Sequence, residues 1–168
     1  MSFLQCLTTV GLAKVAAALA GGPAVDITHV AVGSVLPATL AAMQAMVALG
    51  AEVWRGAVSS VDPVPGDLDH VRIEAVIPVV DGGWTIREAG AFDAAGDLIL
   101  VAQMPETYKP DPGTDGAGSA VYVRLNVELA NVTSALTLTV DATSVMATRA
   151  YVDDASVGSV LRMWEQFA

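Results

Sequence analysis

The chain changes its hydrophobic rhythm along its length. In the first segment Leu12, Val15, Ala16 and Leu19 fall at i, i+3, i+4 and i+7, one face of a helix. Thr8 or Thr9 supplies the N-cap oxygen, and Gly21-Gly22-Pro23 ends the turn. Ile27 to Val32 is a short apolar run stopped by Gly33, as in a buried strand. Ala38 to Leu49, rich in Ala, Met and Leu and preceded by Pro37, predicts a central helix closed by Gly50.

After Gly50 the period becomes two. Val71, Ile73, Ala75, Ile77 and Val79 alternate with Arg72 and Glu74, a half-buried strand. Asp81-Gly82-Gly83 reads as a turn and Trp84 to Phe92 as the returning strand, which predicts a hairpin. A second turn at Asp93-Ala94-Ala95-Gly96-Asp97 leads into the strand Leu98 to Ala102. Met104 to Ser119, with Pro105, Pro110 and Pro112 and several glycines, reads as a loop. Val121 to Leu129 alternates again, and Val132 to Val140 predicts one more strand. Near the end, Asp153 or Asp154 caps a helix in which Val157, Val160, Trp164 and Phe167 follow 3-4-3 spacing. That coiled-coil-like seam covers two heptads, too few to hold together alone.

The expected fold is therefore α+β. It is mainly an antiparallel sheet or sandwich with an N-terminal helix, a central helix and a short C-terminal coiled-coil-like helix. Residues 1–150 form the body, and residues 151–168 a trimerising helix that begins a stalk.

Composition sharpens this picture. The 168 residues are 54% hydrophobic and 15% charged, with a mean hydropathy of +0.55. That excludes intrinsic disorder and favours apolar surface buried between subunits. A net charge of −10 repels phosphate backbones and anionic headgroups, so neither nucleic acid nor a membrane is an expected partner. Val30 to Ala51 has no ionisable side chain, but its alanines, Gly33 and Pro37 suit a buried loop and helix rather than a span. The first charge, Lys14, sits inside the apolar stretch, unlike a secretory signal. Cys6 is the sole cysteine, so no internal disulfide forms and a buried thiol is expected.

No common catalytic fingerprint is present, and no cofactor or metal is expected. The loop from Asp111 has calcium-loop character, but its twelfth position is Tyr122 where a bidentate Glu is required. His29 borders an apolar strand and His70 follows an acidic turn; both read as structural. Glu88 is more informative. Alternation from Trp84 places it with Ile86, Gly90 and Phe92 on one face, where an unpaired carboxylate is costly. Arg55 is the expected partner and Arg72 the second choice, making a buried pair that fixes strand placement. Trp54, Trp84 and Tyr108 offer the alternative of an exposed aromatic platform in a small glycan-binding or glycan-cleaving module, although Trp84 alternates in phase with the core. A tail or capsid decoration protein is a further alternative.

The segment Gly82-Gly83-Trp84-Thr85-Ile86-Arg87-Glu88-Ala89-Gly90-Ala91-Phe92-Asp93 resembles the N-terminal domain of phage tail-collar fibre proteins, whose members carry a Gly-Gly-aromatic-x-Ile-Arg-Glu-x-Gly-x-Phe-Asp hairpin. Ala31-Val32-Gly33, Glu52-Val53-Trp54-Arg55, Leu98-Ile99, Pro105-Glu106-Thr107-Tyr108-Lys109-Pro110, Ala147-Thr148 and Tyr151-Val152-Asp153 extend the likeness in order. The resemblance implies a non-enzymatic virion protein, made in the host cytoplasm and placed at the tail baseplate. There it would be a homotrimer contacting baseplate proteins and a distal fibre protein that attaches to the host. Its motif residues would be structural: Gly82 and Gly83 shape a turn, Trp84 and Phe92 fill the core, Arg87 and Glu88 organise charges, and Arg55, Tyr108 and Lys109 complete the pattern. Because the sequence stops at Ala168, soon after the apparent stalk begins, a short fibre or fibre adaptor is expected.

Overall fold

Strands, not helices, dominate the computed structural model, which describes residues 3–64, 67–116, 118–128 and 136–138. The order is β1 (Gln5–Leu7), α1 (Thr9–Leu19), β2 (Val25–Gly33), α2 (Leu40–Gln44), β3 (Glu52–Ala57), β4 (Ser60–Val64), β5 (Asp67–Ile77), β6 (Trp84–Asp93), β7 (Leu98–Lys109), β8 (Val121–Glu128) and β9 (Leu136–Leu138). A large sheet runs β1-β7-β6-β2-β3, with β9 also on β2, and a small sheet runs β4-β5-β8. Every pairing is antiparallel except β9 on β2.

Alternation decides which side chains meet. Val30 and Val32 of β2 and Ala89 and Ala91 of β6 pack with Ile73, Ala75 and Ile77 of β5 and Val123 and Leu125 of β8 in the main core. The intervening residues of the large sheet form a second cluster, Ala31, Phe92, Leu98 and Val101, covered by Met43 and Leu49. The large sheet is thus buried on both faces, by the small sheet on one and by the β2–β3 connection on the other.

The expected α+β class is overturned: the described residues form a mostly antiparallel β protein with two short helices, of 11 and 5 residues. The central helix predicted over Ala38 to Leu49 shrinks to α2, because the chain beyond Gln44 turns down to bury Leu49. Of the two candidate caps, Thr8 serves α1, accepting from the Gly11 N–H, but the buried residues of the helix are Gly11 and Val15. Leu12 and Leu19 are 60% and 51% exposed. The predicted hairpin from Val71 to Phe92 does not form. β5 and β6 lie in different sheets, and the hairpin partner of β6 is β7. β7 also continues to Lys109 through the predicted loop. Ile86 separates from Glu88 and Phe92, because a register shift between Ile86 and Glu88 interrupts the alternation and sends Ile86 into the main core. Of the strand predicted over Val132 to Val140, the described part is β9. The C-terminal helix of residues 151–168, with Val157, Val160, Trp164 and Phe167, lies outside the described residues. No described helix is long and apolar enough to cross a membrane.

Candidate functional site

The motif residues gather around the middle and the start of β6. At its middle, Glu88 stands in register with Gly33 of β2 and Gln103 of β7. Its side chain is completely buried beneath the β2–β3 connection. Oε1 accepts from the backbone N–H groups of Gly50 (2.8 Å) and Ala51 (3.4 Å). Oε2 is buried with no hydrogen-bond partner among the described residues. Burial pushes this carboxyl above its usual range, against the opposing pull of the Gly50 and Ala51 N–H groups. Gly33 makes the arrangement possible, since a Cβ there would overlap Oε1 and stand 2.8 Å from the Glu88 Cγ.

Neither expected arginine serves Glu88. Arg55 Nε and Nη2 bind Glu52 Oε1 and Oε2 at 2.9 and 2.6 Å, and its guanidinium lies 3.7 Å from the Phe92 ring centroid. Arg72 donates to Asn126 Oδ1 at 3.3 Å on the small sheet. Backbone donors have replaced the predicted ion pair, and an N–H group leaves no mark in a sequence.

Neighbouring side chains hold the same connection. Arg87 donates to the Ser34 carbonyl at 3.1 Å while pairing with Glu106. Gln103 Nε2 donates to the Pro37 carbonyl at 2.7 Å, and Thr9 Oγ1 to the Gln44 carbonyl at 3.0 Å. Residues 34–51 are therefore fastened at both ends and in the middle. Gln103 and Thr9 belong to no pattern that marks them as fasteners in the sequence, and Gly33 registers there as a strand stop and as part of the family likeness, without its tie to Glu88.

The start of β6 is closed differently. Gly83 has φ +87° and donates its N–H to the Lys109 carbonyl at 2.8 Å, whereas a Cβ at Gly82 would stand 2.7 Å from the Pro110 carbonyl carbon. Trp84 pairs with Lys109 across the ladder. The Lys109 side chain is fully buried and its Nζ donates to the Ser119 carbonyl at 2.9 Å. Tyr108 is exposed and donates to Asp115 Oδ2 at 2.8 Å. That bond, with smaller contributions from desolvation and from the Asp115 and Asp111 charges, raises the phenol's pKa. In the following loop, the Thr114 hydroxyl and the Gly113 N–H hold Asp111 below its usual range. This loop is closed by its own hydrogen bonds, and the described residues hold no cluster of three or more His, Cys, Asp or Glu suited to a metal.

The aromatic platform of the glycan alternative takes a different form. Trp54 and Trp84 line a groove of about 290 Å³ with Val53, Val80, Asp81, Gly82 and Asp111, and Tyr108 is absent from it. Both tryptophans are half-buried against the main core, and the Trp54 indole donates to Asp81 Oδ2 at 2.8 Å. Glycosidic cleavage needs a carboxyl with a raised pKa beside a second carboxylate. Glu88, the described carboxyl that is raised, does not line this groove.

Comparison with known proteins agrees with the motif. The chain is 40% identical over 158 residues to a "Probable tail fiber protein" of Escherichia phage P2, an alignment covering 92% of this chain and 23% of that protein. It thus spans about a quarter of the relative's length. No solved structure matches the chain. Residues 1–150 match the family described as phage tail-collar fibre protein, N-terminal. With the Gly-Gly-Trp start of β6, the buried Glu88 and the Tyr-Lys-Pro closure all in place, the chain belongs to the phage tail-collar fibre proteins.

Proposed function

We propose that this chain is a non-enzymatic structural part of a phage or phage-tail-like virion, a homotrimer that anchors a fibre to the baseplate. The observation that supports this reading best is the family match over residues 1–150, read with the engagement of its motif. Glu88, Arg87, Lys109 and Gly83 all bond to the chain's own backbone, and Gly82 leaves room for the backbone of Pro110. A motif directed inward suits a scaffold whose shape is what its partners recognise. The seam of Val157, Val160, Trp164 and Phe167 supports trimerisation by its spacing.

The test is to insert an epitope at Gly113 in the exposed 111–116 loop and image labelled particles. Label at the junction of tail and fibre is the expected result. Label on the capsid, or particles without the chain, would overturn the reading. Sedimentation of the full chain should give about three times 17.2 kDa at micromolar concentration.

A further inference from the structure

Residues 34–49 present an unusual surface. Pro37, Met43 and Leu49 are buried and hold the segment down, while Val35, Leu36, Leu40 and Val47 are 48, 51, 43 and 73% exposed. Between Met1 and Ala51 the charged side chains are Lys14 and Asp26 alone, and Lys14 pairs with Asp93 and Asp97. The other 17 of the 18 acidic residues lie beyond Ala51. The Arg87–Glu106 pair marks one edge of this surface at Ser34, and neighbouring elements extend it on the other side without charge. Leu4 is joined through Gln103 to Pro37, and Phe3 and Leu4 are both exposed. Leu12 shares a groove with Gln5 and Gln44.

We infer that this face, centred on Leu36, Leu40 and Val47, is where one copy of the chain packs against the next; the inference rests on the trimer proposed above. The argument is one of charge. Copies carrying −10 each repel wherever their carboxylates face one another, so close approach favours the surface that lacks them. The carboxylates nearest this face, Glu106 and Glu52, are already paired with Arg87 and Arg55, so a cationic partner would find no free carboxylate there. An anionic lipid surface would be repelled by the rest of the molecule. Further copies bring the same apolar surface, and three such faces set around a threefold axis bury one another.

The experiment uses the full chain in sedimentation equilibrium, with Val47→Glu and the double variant Leu36→Glu/Leu40→Glu. Each should raise the subunit dissociation constant at least about tenfold, since a carboxylate would be buried without a partner. Val47 is so exposed that its replacement should leave folding intact, which far-UV circular dichroism checks. Tyr122→Glu, 56% exposed on β8 of the small sheet, should leave association unchanged. A trimeric parent whose Val47→Glu and double variants remain trimeric with parental affinity would overturn this face and leave the proposed function standing. The face is overturned even if those variants melt lower or lose binding to anionic vesicles, because the cover would then be residues 139–168 or lipid. A monomeric parent would overturn the trimer itself, and this face with it.

Discussion

Replacing Gly33 by Ala tests the link between β2, Glu88 and the 34–51 connection. In an ordinary strand the change stabilises by about 0.5–1 kcal/mol, because alanine has less unfolded-state freedom to lose. Here the new Cβ would overlap Glu88 Oε1 and stand 2.8 and 2.9 Å from Cγ and Cδ. The carboxylate end of a glutamate normally swings away cheaply. This one is fully buried and held by Gly50 and Ala51, so it moves only by surrendering those hydrogen bonds. A bond to a charged acceptor contributes about 1.5–3 kcal/mol. The 2.8 Å Gly50 bond dominates, the 3.4 Å Ala51 bond being long. Subtracting the strand gain leaves a net loss of about 1–2 kcal/mol, or a fall in Tm of about 2–8 °C for a chain of this size. Calorimetry at fixed protein concentration reads the first quantity, and amide exchange at Gly50 and Ala51 reads the local one. With Glu88→Ala already present, Gly33→Ala should become neutral or stabilising, the sign reversal expected of two groups competing for one space. Parental stability in the single variant, with Gly50 and Ala51 still protected, would refute the reasoning.

Two further outcomes are expected. Because burial raises the Glu88 pKa in the folded chain, its contribution to stability is fully present below the unfolded value of 4.5. That contribution is lost as pH rises through the folded value. Glu88→Gln does not titrate, so the stability of the variant relative to the parent should increase as the pH is raised above about 4.5 in urea titrations; a flat difference would show that the folded carboxyl ionises at its ordinary value and that burial does not raise it. Gly11→Ala should destabilise by about 1–3 kcal/mol, although alanine is the better helix former, because its Cβ would overlap the Ile99 carbonyl oxygen and force α1 off β7. Thermal melts of the variant at or above the parental Tm would show that α1 can lift without loss.

Local periodicity made individual elements legible and left their partners hidden. The Thr8 cap, β2, β5, β6 and β8 were readable because alternation and capping are properties of a few consecutive residues. Asp81-Gly82-Gly83 misled, since a turn signal between two alternating strands looks the same whether the chain folds back or crosses to another sheet. Here residues 78–83 cross. Pro105 suggested a loop because proline lacks an N–H. Yet β1 covers β7 only from Leu100 to Ala102, so beyond Gln103 that side of β7 is an edge where no donor is needed. Glu88 was recognisable as a buried carboxylate in need of partners, but its donors are peptide groups contributed by a distant turn.

This placement of polar and apolar groups argues for what the motif does. A lone soluble chain keeps its carboxylates in water and its Leu and Val side chains inside. Around the 34–51 connection the order is reversed: Glu88 lies underneath, its Oε2 without a partner among the described residues, and Leu36, Leu40 and Val47 lie on top. The buried Glu88 carboxyl, with Arg87 and Gln103, fixes the position of backbone at Gly50, Ala51, Ser34 and Pro37, which hydrophobic contacts alone leave free to slide. Directional bonds below an apolar surface are what a repeated contact between identical subunits requires, since burial supplies the attraction but not the register. Glu88→Gln should therefore preserve assembly, because its amide oxygen still accepts from Gly50. Glu88→Ala should loosen the face and weaken association without adding any charge to it. Equal subunit affinity for Glu88→Ala and the parent would separate the motif from the proposed interface.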